Sequence, residues 1–180
     1  MSLLFIDNRD GERYKIARIG DQLWFAENLR YHIDECSFAY DHEYSAYAKY
    51  GYLYSSAALA RVCPLGCRVP TEMDYRKLFN YVGRNFEDVG LMDVLAHKSW
   101  EKGFDFLGLH FLPGGCGFKK EDEFFDVGRR GYFWTDTSGD NGYKKFLSMG
   151  IDSVTFCESG EDIDLYSVRL IVDNAYSNQE

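Results

Sequence analysis

Oxygen-bearing side chains recur through the segment that begins at Asp136 and reads Asp-Thr-Ser-Gly-Asp-Asn-Gly. Proteins bind calcium through carboxylate, hydroxyl and carbonyl oxygens, so Asp136, Ser138 and Asp140 are candidate calcium ligands. However, the glycine comes one place late for an EF-hand-type loop, and Leu147 stands where a bidentate glutamate would be expected. The same residue types are equally typical of a polar turn in which Asp and Asn bond their own backbone. No other cofactor is indicated.

Thiol chemistry is the second option that the residue types allow. The cysteines are Cys36, Cys63, Cys67, Cys116 and Cys157. None lies in a recognised Cys–His catalytic signature. Three residues separate His32 from Cys36 and Cys63 from Cys67, which is not the ligand spacing of a common zinc knuckle. An odd number of cysteines is ordinary in a reducing compartment and unusual in a secreted protein. The pattern favours reduced thiols, while a short bridge between Cys63 and Cys67 stays open.

The third candidate is a cluster of tyrosines. They are Tyr40, Tyr44, Tyr47, Tyr50, Tyr52 and Tyr54. Tyrosine provides a large contact area at low rotamer entropy together with a polar tip, which suits recognition surfaces and stacking on sugar rings. The alternating spacing of Tyr52 and Tyr54 predicts packing into the core. We therefore take Tyr40, Tyr44 and Tyr47 as candidate ligand contacts, with inward packing as the alternative.

Helices and strands must position these residues. The sequence contains clear signals for the N-terminus of one helix. Pro70 disfavours helical geometry at the residue before it, and Thr71 with Asp74 forms an acidic version of a capping box. Apolar residues follow at the spacing of one buried stripe, namely Tyr75, Leu78, Phe79 and Val82. The pattern predicts an amphipathic helix that ends near Gly83.

Four segments of the chain match sequence motifs of a known family, and they occur in the same order. They are Asp-Asn-Arg-Asp-Gly from position 7 with the following residues to position 29, Tyr-Gly-Tyr-Leu-Tyr from position 50, Cys-Pro-Leu-Gly-Cys-Arg-Val-Pro-Thr-Glu-Met-Asp-Tyr from position 63, and Ser-Val-Arg from position 167. Together they resemble the Fibrobacter succinogenes major paralogous domain over about residues 7–173. The resemblance implies a single domain that spans residues 1–180.

The resemblance also implies which residues hold the domain together. These motif positions are Trp24, Glu27, Asn28, Arg68, Pro70, Thr71, Asp74, Tyr75 and Arg169. We expect the polar members to fix loops through buried hydrogen bonds, because buried polar groups are normally paired. The family pattern would place Trp at position 67 and Cys at position 170, whereas this chain has Cys67 and Leu170. A disulfide between the early turn and the last strand therefore cannot form here.

The family is similar in pattern to the group of C-type-lectin-like and formylglycine-generating folds. The similarity implies an α+β domain with a twisted antiparallel sheet and two or three helices. Lectins of this kind carry Trp-Asn-Asp before the ligand loop, and the nearest match here begins at Trp134. This comparison adds Trp134, Asp136, Asp140 and Asn141 to the candidate ligand contacts, although the missing Asn weakens the case for calcium-dependent sugar binding.

Composition restricts the classes of partner. The formal net charge is −9, with 46% apolar and 17% aromatic residues. Nucleic acids and anionic membranes need clustered cations, so neither is expected as a partner. No apolar run approaches the roughly 20 residues of a membrane span. The first residues do not resemble a signal peptide, although members of the family are often exported or surface-attached. The compartment and the oligomeric state stay open.

The remaining pattern predicts helices first and strands later, which is typical of α+β proteins. A hairpin is expected over residues 13–26, and helices over 40–49, 55–62 and 86–100. Strands are expected over residues 104–112, 132–135, 145–150, 153–157 and 166–172. The glycine-rich and charged residues 114–130, together with residues 134–141, are expected to form a variable loop region over the sheet.

These observations favour a non-enzymatic recognition module whose ligand is a protein surface or a glycan. Two alternatives stay open. One is a thiol enzyme of the formylglycine-generating type with relocated cysteines, and the other is a purely structural surface domain. Fold analogy alone does not decide between them, because one fold hosts many functions.

Overall fold

Short strands and a few helices alternate along the chain in the computed structural model, which describes residues 3–98, 100, 103–160 and 164–173. The strands are β1 Leu3–Ile6, β2 Arg13–Ile19, β3 Gln22–Phe25, β4 Ser37–Phe38, β5 Leu53–Ser55, β6 Cys67–Arg68, β7 Gly114–Phe118, β8 Glu123–Val127, β9 Gly131–Ser138, β10 Lys144–Gly150, β11 Ser153–Glu158, β12 Asp164–Ser167 and β13 Ile171–Val172. The α-helices are α1 Tyr44–Tyr47, α2 Glu72–Asn85 and α3 Leu91–Leu95, and 3₁₀ turns cover Tyr40–His42, Ala48–Tyr50 and Ser56–Ala60.

The strands form two sheets. The first has the order β1-β2-β3-β13-β6, and all of its pairs are antiparallel. The second has the order β11-β10-β9-β7-β12-β5-β4, with β8 paired to β7. Two of its pairings, β7 with β9 and β12 with β9, are parallel. The predicted α+β class is therefore confirmed, while the specific lectin-like arrangement stays a prediction.

Helix α2 begins where the sequence predicts. The hydroxyl of Thr71 accepts a hydrogen bond from the backbone N–H of Asp74 at 3.2 Å, and the Asp74 carboxylate accepts one from the backbone N–H of Thr71 at 2.8 Å. The apolar stripe of α2 packs against Trp24 and Ile171 of the first sheet and against the second sheet. The helix continues past Gly83 to Asn85, because Gly83 is exposed and the mid-helix cost of a glycine is only about 1 kcal/mol.

The last strands connect the two sheets. Strand β12 pairs with β5 and β7 in the second sheet, and β13 pairs with β3 and β6 in the first. The residues between them, Val168, Arg169 and Leu170, are buried at the junction. Ile171 and Val172, which follow this segment, pair with Arg68 and Cys67 of β6, the strand that leads into α2.

Two predictions for residues 86–112 are wrong. The expected helix over 86–100 is reduced to α3, because Ala96 leaves helical geometry to form a bridge with Phe111. The expected strand over 104–112 is a series of turns that contains only this bridge. Asp105 and His110 adopt positive φ angles of 52° and 46°, which a regular strand does not allow.

The glycine-rich segment was also predicted wrongly. Residues 114–130 form the β7–β8 hairpin and not a variable loop. Gly115 has a φ of +70°, and a Cβ atom there would lie 2.3 Å from the carbonyl oxygen of Phe125. The glycines therefore permit close packing within a strand. The helix predicted over 40–49 is likewise broken into short turns, because Asp41 has a φ of 50°.

The described part of the chain contains no helix that is both long and apolar enough to cross a lipid bilayer.

Candidate functional site

The tyrosines divide into buried and surface residues. Tyr40 is only 6% exposed, and its ring lies 4.9 Å from that of Tyr47 and 5.3 Å from that of Phe124. Its assignment as a ligand contact is therefore corrected, since its ring fills the gap between the tyrosine segment and the β7–β8 hairpin. Tyr47 is half-buried in the same cluster. Tyr54 is fully buried, as predicted.

Tyr44 and Tyr52 form an aromatic stack at the surface. Their ring centroids are 4.5 Å apart with an interplanar angle of 16°, and both side chains are half-buried. The ring of His32 approaches Tyr52 at 5.3 Å. Burial and the neighbouring Tyr52 raise the pKa of Tyr44, although the charge of Arg30 opposes the increase. The stack offers partly exposed ring faces next to a guanidinium group.

Trp134 is a core residue and not a surface contact. Its side chain is fully buried, its indole N–H donates to the carbonyl of Tyr54 at 2.6 Å, and its ring lies 4.7 Å from Tyr166. A ligand on the surface cannot reach it. Its inclusion among the candidate ligand contacts is therefore corrected, because the position that resembles a lectin motif is used for packing.

The remaining candidates from this segment lie at the β9–β10 turn. Asp136 accepts from the Lys144 ammonium at 2.5 Å, and the side-chain oxygen of Asn141 accepts from the backbone N–H of Tyr143 at 2.9 Å. The backbone N–H of Asp140 donates to Glu158 at 3.2 Å. Within the described ranges, which include Ser138, no group of three or more His, Cys, Asp or Glu side chains is arranged for a metal ion. The geometry is that of a polar turn.

The turn also serves to fix helix α2. The backbone N–H of Asp136 donates to the carbonyl of Pro70 at 2.8 Å, and the hydroxyl of Thr137 accepts from the backbone N–H of Glu72 at 2.9 Å. Asp136 thus lies at the start of α2, whereas the turn that carries Asp140 and Asn141 lies beside the end of β11. Tyr40 and Tyr47 lie against the β7–β8 hairpin. The two groups of predicted ligand contacts do not form one surface.

The polar motif residues pair with one another. Arg68 donates to both oxygens of Asp74 at 2.6 and 2.9 Å. Although burial alone would raise the pKa of Asp74, the hydrogen bonds from Arg68 and Thr71 hold it well below its usual range. The ring of Trp24 packs on that of Tyr75 at 5.1 Å. These contacts join the start of α2 to the first sheet.

Arg169 is fully buried between the sheets. Its guanidinium donates to Asn28 Oδ1 at 2.7 Å and to the carbonyls of Phe25, Leu109 and His110. The aromatic rings of Phe111 and Phe133 lie 4.3 and 5.8 Å from its central carbon. Burial lowers the pKa of Arg169 to about 10, so the side chain stays cationic at neutral pH.

A surface cleft with a volume of about 320 Å³ is lined in part by His110, whose carbonyl accepts a hydrogen bond from Arg169. It is lined by Lys15, Ala26, Glu27, Arg30, Lys49, His97, His110 and Leu112. Strand β2 provides Lys15, the segment after β3 provides Glu27 and Arg30, and the turn after α1 provides Lys49. No sequence signal indicated this site, because its lining comes from separate segments and Arg30, Lys49 and both histidines lie outside the family motifs.

The two histidines of the cleft lie side by side. Their ring centroids are 5.6 Å apart, and Nδ1 of His110 lies 2.6 Å from a carboxylate oxygen of Asp105. Burial and the adjacent His110 lower the pKa of His97. Asp105 also accepts from the backbone N–H of His110 at 2.9 Å, which fixes the loop that carries this imidazole.

The surroundings of the cysteines determine how reactive their thiols are. All of them are free thiols, and Cys36, Cys67 and Cys116 are buried. Burial raises the pKa of Cys63 to about 11 and those of Cys67 and Cys116 to about 12. A catalytic or redox-active cysteine needs a low pKa, because the thiolate is the nucleophile.

Comparison with known sequences agrees with the motif order. The sequence model of the Fibrobacter succinogenes major domain matches residues 17–171. No curated protein and no solved structure matches the chain. The match covers well over half of the chain, including the start of α2, the tyrosine segment, most of the cleft and the buried Arg169. The chain therefore belongs to the Fibrobacter succinogenes major domain family.

Proposed function

We propose that this domain is a non-enzymatic recognition module that binds a glycan at the Tyr44–Tyr52 stack and the adjoining cleft. The observation that carries the proposal is the stack itself, with centroids 4.5 Å apart in half-buried side chains at the surface. Arg30 connects the two parts, because it lines the cleft and its charge acts on Tyr44.

The chemistry of this surface suits a sugar. The apolar face of a pyranose ring packs on an aromatic ring, and its hydroxyl groups need donors and acceptors at the edge of that contact. Glu27 offers acceptors, while Arg30 and Lys49 offer donors at the cleft. The cleft volume of about 320 Å³ falls at the lower end of the range for small-ligand sites, which is roughly 300–1,000 Å³.

The thiol-enzyme alternative has less support. Burial holds the pKa of Cys63 at about 11 and that of Cys116 at about 12, so both thiols are protonated near neutral pH. Cys36 is buried, and its sulfur accepts a hydrogen bond from the Arg61 guanidinium at 3.1 Å. None of these environments provides the activated thiolate that such chemistry requires.

A glycan array with the wild-type protein and the Tyr44→Ala variant tests the proposal. We expect wild-type binding to at least one glycan class and a loss of about tenfold or more in the variant, as for an aromatic anchor. Tyr143→Ala is the matched control, because Tyr143 is an exposed tyrosine on the β9–β10 turn. We expect it to bind as wild type does.

Two results would contradict the proposal. One is the absence of binding to any glycan on the array. The other is an equal loss of binding in Tyr44→Ala and Tyr143→Ala. Tyr44-dependent binding to purified envelope or host-surface proteins that carry no glycan would assign the surface to a protein partner instead.

A further inference from the structure

The cleft differs in charge from the rest of the molecule. The chain has a formal net charge of −9, yet three cationic side chains and two imidazoles line this cleft with a single carboxylate. The cations are Lys15, Arg30 and Lys49, the imidazoles are His97 and His110, and the carboxylate is Glu27. A concave, cationic surface on an acidic protein concentrates anions.

Some of these charges are already compensated. Arg30 forms ion pairs with Glu27 at 2.9 Å and with Glu12 at 3.0 Å. His110 pairs with Asp105 at 2.6 Å. Lys15 and Lys49 are exposed, and no carboxylate of the described residues lies within ion-pair distance of either one. The ammonium of Lys49 lies 4.7 Å from the ring centroid of Tyr50, which holds it at the cleft. Two ammonium groups are thus available to a ligand.

The buried guanidinium of Arg169 adds to the positive charge near the cleft. Arg169 lies behind the loop that carries His110 and donates to the carbonyls of Leu109 and His110. Its partners are neutral oxygens, and its Nε atom has no hydrogen-bond partner among the described residues. Because the site is shielded from water, this charge is screened less than a surface charge would be. Arg169 therefore adds a fixed positive charge behind the loop that carries His110.

We propose that the cleft binds an anionic group of the ligand, either the carboxylate of an acidic sugar or a sulfate ester. This inference rests on the proposed glycan-binding function and specifies its ligand class. Lys15 and Lys49 provide the charge contacts, and the imidazoles of His97 and His110 provide further hydrogen-bond donors. The sugar ring that bears the anionic group extends toward the Tyr44–Tyr52 stack past Arg30.

Binding should depend on pH through His97. The groups that act on this imidazole are His110, Asp105, Lys98 and Lys49. Its lowered pKa leaves it neutral near pH 7, and protonation at lower pH adds a positive charge to the cleft. The affinity for an anion therefore increases on acidification, and a bound anion raises the pKa of His97 in return.

Calorimetric titration with matched saccharides tests the inference. The probes are trigalacturonic acid, its neutral methyl ester and a sulfated trisaccharide, each at low and at high salt. We expect the anionic probes to bind more tightly than the ester, with a difference that decreases as salt increases. The double variant Lys15→Gln/Lys49→Gln should bind the anionic probes about five- to tenfold more weakly. Lys77→Gln, a change on α2 at a different cleft, should have no effect.

A second measurement does not depend on sugar binding. Inorganic sulfate is titrated while NMR follows the imidazole signals of His97 and His110 from about pH 7.5 to pH 5.5. We expect sulfate to raise the pKa of His97 in the wild type, and to raise it less in the lysine double variant. A sulfate effect of the same size in both proteins would indicate an adventitious ion only and would overturn the inference.

The outcomes separate the two proposals. Equal binding of the ester and the acid, with dependence on Tyr44 retained, would overturn the anionic preference and leave the glycan function intact. A lysine-dependent sulfate response without binding of any saccharide would support the anion site and contradict the glycan function. A preference between the carboxylate and sulfate probes identifies the source of the charge.

Discussion

Asp74 shows how much of this fold depends on a single side chain. Its carboxylate accepts from Arg68, from the backbone and hydroxyl of Thr71, and from the Gln22 amide at 3.1 Å. It therefore joins the start of α2 to strands β6 and β3. The local capping pattern predicted the bond to Thr71, whereas no sequence signal indicated Gln22, which lies 52 positions away in the chain.

We predict that Asp74→Asn lowers the free energy of unfolding by about 2 kcal/mol near pH 7, because it removes a charged acceptor from several donors. The carboxyl has a lowered pKa in the folded state, so its contribution is present above its unfolded pKa and is lost as the pH falls toward the folded value. The difference between variant and wild type should thus decrease below about pH 4.

Urea unfolding of both proteins between about pH 7 and pH 3 measures this difference. Asp21→Asn is the control, since the Asp21 side chain is 78% exposed and lies 3.9 Å from Lys77. We expect it to change stability by less than about 0.5 kcal/mol at any pH. A deficit in Asp74→Asn that is the same at both ends of the range would contradict the prediction.

At the scale of elements, local sequence patterns predicted the helices and strands whose structure depends on neighbouring residues. They failed where contacts between distant residues determine the structure. Helix α2, the β2–β3 hairpin and strands β10 and β11 were predicted because their periodicity and turn residues are local. Strand β9 was predicted only over residues 132–135, and the loop expected over 134–141 is wrong for residues 134–138, which continue this strand. The β7–β8 hairpin was missed because Gly114 to Gly117 read as a break, although the contacts that require glycine are made with strand β8. The turns of residues 103–112 depend on the bridge between Ala96 and Phe111, which no local pattern shows.

We predict that Gly115→Ala destabilises the protein by about 3 kcal/mol or more, because it combines an unfavourable positive φ with a clash. The added Cβ would lie 2.3 Å from the Phe125 carbonyl oxygen and 2.8 Å from the Val127 nitrogen. Gly128→Ala is the matched control. It has a similar φ of +79°, but no atom lies within 4 Å of the new Cβ, so we expect a cost of about 1 kcal/mol.

Thermal or urea unfolding measures the loss of stability in each of the two variants. Equal costs for Gly115→Ala and Gly128→Ala would mean that the backbone angle alone accounts for the effect. In that case the close approach of β7 and β8 would not be the reason for the glycines.

At the scale of the whole molecule, the cleft shows where sequence reasoning reaches its limit. Its lining comes from residue 15, residues 26–30, residue 49 and residues 97–112. These segments are far apart in the chain, and Arg169 joins two of them through Asn28 and the His110 carbonyl. The family motif indicated that Arg169 is a structural residue, whereas His97 and His110 lie outside every motif, so no sequence signal placed them near it.

We predict that the thiols of the folded protein react slowly with a disulfide reagent near pH 8. Burial raises the pKa of Cys63 to about 11 and that of Cys67 to about 12, so little thiolate is present at that pH. Cys157 is half-buried and serves as the internal reference. In denaturant, all five thiols should react rapidly. A cysteine pair that reacts fast in the native state would support a thiol enzyme instead.

The junction formed by β12, Arg169 and β13 has a consequence for biosynthesis. Both sheets receive a strand from residues 164–172, so neither sheet is complete while this segment is still inside the ribosome. Nascent chains would carry an unfilled gap beside β3 and another beside β5, each with apolar side chains exposed to the cytosol or to a chaperone. Maturation of this domain is therefore set by the synthesis of its final strands, however early the helix at Thr71 forms.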